Sequence, residues 1–258
     1  ILIGNVINVV LNYLFIFGKF GFPELGILGA AIGTLVSRLI IVIFLWYLLS
    51  QDDKSRTFVL NIKIFKLSKK MIKKLYSIGF PSAMQMFFEV AIFTAAIWLS
   101  GILGKNPQAA NQIALNLSSM TFMVAMGLSV TAMIRVGNQK GLKKYIDLRR
   151  IAFSIFMIAT LFAVVFAILF FLFSGILPKM YLDINDPTKM VDNYEVISIA
   201  SKLLLIAAVF QITDTIQVVA LGVLRGMQDV KIPTFITFIS YWLIGFPISY
   251  YLSLYTDY

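Results

Sequence analysis

Two acidic residues, Glu89 and Asp214, stand inside long apolar stretches of the sequence, whereas the other acids fall in polar segments or near the ends of apolar runs. A charged side chain at the centre of a membrane span is costly unless it faces a cavity, pairs with another group or stays protonated. Such residues are therefore functional candidates. Carboxylate oxygens are hard ligands that suit Na⁺ or a proton, so the two residues predict a cation site.

The two carboxylates are expected to lie at one depth in the membrane. Each is about ten residues from the basic end of its apolar run, and ten residues of helix rise about 15 Å, half of the hydrocarbon thickness. Each also has polar neighbours on its own helical face, at spacings of three, four or seven residues. These neighbours are Ser82 and Gln85 beside Glu89, and Gln211 and Gln217 beside Asp214.

Two further apolar runs carry stripes of amide side chains. One stripe contains Gln112 and Asn116, and the other contains Asn5, Asn8 and Asn12. A polar stripe in an apolar span must face another helix or water. Hydrogen bonding between helices is the alternative to a functional role for these amides.

Seven apolar runs are long enough to cross a bilayer as helices. They cover 1–18, 25–50, 78–103, 109–134, 151–175, 195–224 and 233–255. Hydrophobic residues make up 60% of the 258 residues and charged residues 13%, about half the charged share of a soluble domain. The runs are apolar nearly all round, which favours helices over alternating transmembrane strands. The prediction is an all-α, polytopic membrane helical bundle.

Composition also excludes several kinds of chemistry. The chain has no Cys and no His, which excludes thiol catalysis, histidine general bases and most zinc sites. A net charge of +10 would fit nucleic-acid binding in a soluble protein, but here the basic residues sit in short loops between apolar runs. We therefore expect neither an enzyme nor a nucleic-acid partner. Because Ile1 opens inside an apolar run, we also expect further helices to precede it.

The basic loops predict the orientation of the chain in the membrane. Segments 51–77, 135–150 and 225–231 hold most of the 22 Lys and Arg residues, whereas the alternate loops hold only Lys19, Lys105, Lys179 and Lys189. The first set is expected to be cytoplasmic, since positive residues are retained on that side. Segment 51–77 is predicted to be a basic cytoplasmic linker lying on the anionic leaflet.

Several motifs, in this order, resemble helices five to eleven of the MATE (multidrug and toxic compound extrusion) transporters. They are N-x-x-N-x-x-x-N-Y-L-F-I-F-G at 5–18, G-F-P-E-L-G-I-L-G-A-A-I-G-T at 21–34, I-G-F-P-S-A-M-Q-M-F-F-E at 78–89, A-A-N-Q-I-A-L-N at 109–116, G-L-S-V-T-A-M-I-R-V-G at 127–137 and G-V-L-R-G-M-Q-D-V-K-I-P at 222–233. The resemblance implies a twelve-helix protein in two lobes. Residues 1–50 would be the last two helices of the N-terminal lobe, and 78–258 five helices of the C-terminal lobe.

The resemblance also implies roles for individual residues. In the norfloxacin-exporter-like branch, the cation site uses a Glu on helix seven and an Asp on helix ten, which match Glu89 and Asp214. A helix-five Asn of that branch points to Asn8. Asn12 stands where the other large bacterial branch has Asp, which favours the norfloxacin-exporter-like branch.

The chain departs from the family pattern at two positions. Asn111 stands where many relatives have His, and Phe210 where some members have a Tyr that assists the cation. Gln211 and Gln217 are the candidate substitutes beside the cation. The cation-binding set is then Glu89, Asp214, Gln211, Gln217, Asn8 and Asn12. The candidate substrate cavity contains Gln85, Gln112, Asn116 and Tyr241, with plain packing as the alternative for Tyr241.

The functional expectation is a secondary antiporter that uses Na⁺ or H⁺ to export organic compounds such as drugs. It would be a monomeric, multi-pass protein of the bacterial cytoplasmic membrane, with no cofactor besides the coupling ion. The alternative is a lipid-linked oligosaccharide flippase of the same superfamily. A flippase would be expected to carry several cations in its cavity, whereas only Arg38 is placed in the middle of a predicted span.

Overall fold

The computed structural model describes residues 2–51, 68–182 and 190–255, and every element in these ranges is helical. The helices are α1 (Leu2–Phe17), α2 (Gly26–Gln51), α3 (Lys69–Leu103), α4 (Lys105–Gly141), α5 (Tyr145–Phe173), α6 (Met190–Gly226), α7 (Lys231–Phe238) and α8 (Phe246–Tyr255). Short 3₁₀ helices cover Lys19–Gly21 and Leu177–Tyr181, and a π-helical segment, Ile239–Gly245, joins α7 to α8. The all-α prediction is confirmed.

The chain divides into two compact units, Ile1–Ser68 and Lys69–Tyr258. The first unit is a helical pair in which α1 packs on α2. Their backbones approach closely at Gly29 and Gly33, where an added methyl group would overlap the carbonyl of Phe15 and the side chain of Asn12. Small residues at such crossings are a common way to pack membrane helices.

The core of the second unit lies between α4, α5 and α6. Much of it is alanine: Ala110, Ala132, Ala159 and Ala200 are fully buried. Small side chains let these helices approach closely, and close packing holds membrane helices together where the surrounding lipid is as apolar as the helices. α3 packs against α4, α7, the π segment and α8.

The tightest crossing of the second unit is between α4 and α6. A methyl group at Gly222 would overlap the carbonyl oxygen of Ser129, and one at Gly226 would lie 2.6 Å from the carbonyl oxygen of Met133. The Ser129 hydroxyl also donates to the carbonyl of Val218 at 2.7 Å. These contacts leave α6 little freedom to slide or rotate against α4.

Six helical segments in the described ranges are long and apolar enough to cross a membrane. They are α2 to α6 and the composite segment Lys231–Tyr255, which contains α7, the π segment and α8. At most 33% of the residues in their most apolar windows are buried, so most of this apolar surface is left for lipid. The predicted span at 1–18 corresponds to α1, which is apolar but has only 16 residues.

The predicted boundary between linker and span needs a correction. α3 begins at Lys69, so the C-terminal part of segment 51–77 is helical, and Pro81 lies inside the helix. Lys and Leu are good helix formers, so the helix continues beyond the apolar stretch that marks the span. Residues 52–67 of the predicted linker lie outside the described residues.

Candidate functional site

Glu89 lies on a buried polar face of α3. Its side chain is 6% exposed, and Gln85, one turn earlier on the same face, is 1% exposed. The amide of Gln85 donates to the hydroxyl of Thr237 on α7 at 3.4 Å, and that hydroxyl donates to the carbonyl of Pro233 at 2.9 Å. Packing against α7 therefore orients the polar face that carries Glu89.

Asp214 lies on a face of α6 that ends in an arginine. Asp214 is 9% exposed, and Val218, Leu221 and Arg225 follow at spacings of four, seven and eleven residues. These spacings keep the side chains on one side of a helix. The close crossing of α6 with α4 at Gly222 and Gly226 positions this face.

Two contacts bracket the carboxylates and define how α3 and α6 meet. Arg225 donates to the side-chain oxygen of Gln85 at 2.9 Å. The rings of Phe93 and Phe210 meet edge-on, with centroids 6.4 Å apart. The two facing segments therefore run antiparallel, and Glu89 and Asp214 both fall in the interval between the contacts.

The two carboxylates share one electrostatic environment. Glu89 lies within electrostatic range of both Asp214 and Arg225. Its oxygen Oε1 is buried and has no hydrogen-bond partner among the described residues. A buried carboxylate oxygen without a donor is costly, which makes this atom a natural ligand for a cation or a proton. No group of three or more acidic, His or Cys side chains comes together in the described ranges, so neutral oxygens would have to complete the shell of a metal ion.

Gln217 and Tyr241 extend the site towards the π segment. The amide of Gln217 donates to the Tyr241 hydroxyl at 2.6 Å, and Tyr241 is within electrostatic range of both carboxylates. The amide nitrogen of Gln217 is thereby engaged by Tyr241. π-helical segments are rare and often occur at functional sites, which fits the position of Tyr241.

A cavity of about 300 Å³ lies beside these two residues. It extends from Gln217 and Tyr241, past Thr237 and Ser240, to Asp229 in the turn before α7. That turn belongs to the basic segment 225–231, which is predicted to be cytoplasmic. The cavity therefore connects the neighbourhood of the carboxylates with the predicted cytoplasmic end of α6.

Gln211 points to a different side of α6. Its side-chain oxygen accepts a hydrogen bond from Thr121 on α4 at 2.9 Å, and its amide nitrogen is buried without a partner in the described part of the chain. It lines a space of about 10 Å³ among α4, α5 and α6. Gln211 is thus hydrogen-bonded to α4, whereas Gln217 faces Tyr241 in the π segment.

The other amides predicted for a substrate cavity do not line the 300 Å³ cavity. Gln112 and Asn116 are exposed on α4, and Asn116 accepts a hydrogen bond from Tyr181 at 2.8 Å. Gln85 is buried and engaged by Arg225 and Thr237. Of the four predicted cavity residues, Tyr241 is the one that lines it.

In the first unit, Asn8 and Asn12 form a polar network with α2. Asn8 donates to the Ser37 hydroxyl at 3.0 Å and to the Thr34 hydroxyl at 3.3 Å, and Asn12 donates to the side-chain oxygen of Asn8 at 3.3 Å. The side-chain oxygen of Asn12 is buried without a partner in the described ranges. Hydrogen bonding between helices accounts for most of this network and leaves one free oxygen.

Sequence reasoning missed Arg225 and Thr237 as members of the site. Arg225 was counted as a residue of a cytoplasmic turn, although its spacing from Asp214 places it on the same helical face. That spacing was the available signal. Thr237 sits in an apolar run and had no comparable signal.

Comparison with known proteins assigns the chain to a family. The MatE family model matches residues 81–251. The chain is 35% identical to the multidrug resistance protein NorM of Photobacterium profundum, covering 98% of this chain and 53% of that protein. It is 38% identical to the multidrug resistance protein MdtK of Yersinia enterocolitica, covering 99% and 54%.

Solved structures agree on the fold. A crystal structure of a mutant MATE matches with a TM-score of 0.82 at 17% identity, and one of MATE in complex with MaL6 matches with 0.82 at 20% identity. Each match covers 98% of this chain and 54% of the other. The chain thus spans about half the length of the relatives it matches. With the family model covering most of the second unit, the chain belongs to the MatE family of multi-pass membrane proteins.

Proposed function

We propose that the protein is a secondary active transporter that exports small organic compounds, drugs among them, in exchange for Na⁺ or H⁺. The observation that carries the proposal is the pair of buried carboxylates, Glu89 and Asp214, on facing segments of two membrane helices. Acids in that position are costly to keep, and amides would serve simple packing at lower cost. The relatives named multidrug resistance proteins supply the substrate class.

In this proposal the coupling ion binds at the two carboxylates and is transported. A proton would bind a carboxylate oxygen directly, with Oε1 of Glu89 free to receive it. Na⁺ would need further oxygen ligands, for which the Gln217 side-chain oxygen and the Tyr241 hydroxyl are candidates. Cation binding neutralises the carboxylates and so changes the relative free energies of the transporter's conformations, which is how an ion gradient drives export.

We also propose the division into lobes that the family resemblance implies. Residues 1–50 form the last two helices of the N-terminal lobe, segment 51–77 joins the lobes on the cytoplasmic side, and residues 78–258 belong to the C-terminal lobe. Lys69–Ser77 then extends the first C-terminal helix into the linker. Asn8 and Asn12 are candidate ligands of a separate cation site in the first lobe, supported by the unpaired Asn12 oxygen. We propose that the transporter acts as a monomer and has no enzymatic activity.

The test is substrate efflux from proteoliposomes that contain the intact protein, with sodium and proton gradients imposed separately. Glu89→Gln and Asp214→Asn keep the shape of the side chains but remove the charge, and each is expected to lower ion-coupled efflux at least about tenfold. The matched control is Asp192→Asn, because Asp192 lies on the same helix as Asp214 but is 55% exposed in a surface ion pair with Lys105. If both site variants retained full coupled efflux, the mechanism would be wrong.

A further inference from the structure

The guanidinium of Arg225 lies at the predicted cytoplasmic end of the proposed cation site. It makes only some of the hydrogen bonds that its N–H groups could make. It donates one hydrogen bond to Gln85 at 2.9 Å, while its Nε is buried and has no partner in the described ranges. An arginine carries five N–H donors and stays protonated, so burial with an unused donor is costly. Arg225 therefore places a permanent positive charge within electrostatic range of Glu89.

A matching acceptor lies one helical turn away. Gln85 and Glu89 are four residues apart on α3, a rise of about 6 Å. Glu89 Oε1 is the buried oxygen without a donor. Arg225 and Glu89 interact electrostatically, yet the guanidinium donates its hydrogen bond to Gln85 and not to Glu89. An unpaired donor and an unpaired acceptor of opposite charge thus stand within a side-chain movement of each other.

Within the part of the chain that the structure describes, the remaining charged and titratable groups around the site do not supply an alternative cation. They are Asp214 on α6, Tyr241 in the π segment and Asp229 in the turn that lines the cavity. Two carboxylates and one guanidinium give the immediate site a formal charge of −1, which one monovalent cation would neutralise.

We propose that Arg225 is an internal counter-cation that alternates between Gln85 and Glu89 and competes with the coupling ion for Glu89. When Na⁺ or H⁺ occupies the site, the guanidinium donates to Gln85 and stays away from Glu89. When the ion leaves, the guanidinium moves to Glu89 and neutralises it. Arg225 is thus a positioning residue that sets the affinity for the coupling ion, an inference that rests on the proposed cation site.

The first experiment removes the charge of Arg225. We expect Arg225→Gln in the intact protein to lower the half-saturating Na⁺ or H⁺ concentration about tenfold, because a competing positive charge has been removed. The measurements are binding of radioactive sodium to the purified protein and the cation dependence of efflux in proteoliposomes. Arg135→Gln is the matched control, since Arg135 is exposed on α4, and it should leave the affinity unchanged.

The second experiment frees the guanidinium instead. Gln85→Met keeps the length of the side chain but removes the acceptor of Arg225, while the Thr237 hydroxyl keeps its bond to the carbonyl of Pro233. The freed guanidinium should pair with Glu89 and weaken cation affinity about tenfold, the opposite direction to Arg225→Gln. The double variant should show the tight affinity of Arg225→Gln alone. A role limited to holding the helices together would not produce opposite signs.

The outcomes separate the two proposals. Unchanged or weaker cation affinity in folded Arg225→Gln would overturn the role of Arg225, and so would unchanged or tighter affinity in Gln85→Met. If Arg225→Gln did not fold, the result with Gln85→Met would decide. If Glu89→Gln and Asp214→Asn bound and used the cation as the unmodified protein does, the cation site itself would be refuted, whatever Arg225 does.

Discussion

Glu89 and Asp214 are each less than a tenth exposed, although their helices turn most of their other residues outwards. Around them lie an arginine that donates to Gln85 and an amide that donates to a tyrosine. Each neighbour therefore has one polar atom engaged by the protein and another left over. The exchange of Arg225 between Gln85 and Glu89 that we propose would use these remaining polar atoms.

The contact between Gln217 and Tyr241 gives a prediction at the residue scale. Tyr241→Phe removes the acceptor at 2.6 Å and leaves the amide of Gln217 free to rotate away from the site. We expect the half-saturating cation concentration for efflux to rise about fivefold, or about 1 kcal/mol, which is the net worth of one hydrogen bond, with a smaller effect on the maximal rate.

Tyr250→Phe is the matched control for this prediction, because Tyr250 is 41% exposed on α8 and outside the cavity lining. Equal cation dependence in Tyr241→Phe and Tyr250→Phe would show that Gln217 needs no orienting partner.

At the scale of elements, the position of the site depends on how α6 crosses α4. Gly222 and Gly226 bring the two backbones together, and the Ser129 hydroxyl adds a hydrogen bond across the crossing. Asp214 and Arg225 are carried by the same helix, so a rotation or shift of α6 would move both. The tight crossing on one side of α6 is what gives the other side its precise placement against α3.

A larger side chain at the crossing of α4 and α6 should destabilise the protein. A methyl group at Gly222 would overlap the carbonyl of Ser129, so Gly222→Ala is expected to cost about 1–3 kcal/mol, as overpacking does, and to lower the melting temperature in detergent. Gly127→Ala on α4 is the matched control, because a methyl group there meets no atom within 4 Å. A melting temperature for Gly222→Ala equal to that of Gly127→Ala would mean that the crossing is looser than described.

The whole molecule is organised by the bilayer. Six segments in the described ranges are of spanning length, and much of their apolar surface is left for lipid. The turn between α4 and α5 contains Lys143 and Lys144, and the turn between α6 and α7 is flanked by Arg225 and Lys231. Lys140 in the last turn of α4 also donates to the carbonyl of Met227 in the turn after α6. The basic residues near these two turns therefore lie at one end of the second unit. This clustering fits the prediction that they share the cytoplasmic face of the membrane.

The absence of Cys from the sequence makes this topology easy to test. Lys143→Cys, between α4 and α5, should react with a membrane-impermeant maleimide only after the cells are opened. Lys179→Cys, in the 3₁₀ helix after α5, should react in intact cells. The unmodified chain, which has no thiol, provides the background. Labelling of both positions in intact cells would contradict the orientation.

Much of this architecture could be predicted from sequence because its causes are local. The length and hydropathy of a run decide whether it can span a bilayer, and two acids inside such runs are candidates for function because their burial is costly. Boundaries were less accurate: α3 starts at Lys69 because helix propensity extends beyond the apolar stretch. A hydropathy pattern does not record where a helix continues into water.

The sequence by itself determined that the chain is an all-α membrane protein with two carboxylates in its spans, since those properties follow from side-chain transfer energies. Only the tertiary structure decided which partner each polar side chain of these helices contacts. It turned Gln211 towards Thr121, placed Gln217 on Tyr241, and brought Arg225 to Gln85 across 140 residues of chain. Which face of a helix meets which neighbour depends on packing at distant crossings such as Gly222 on Ser129, and periodicity within one helix cannot show that.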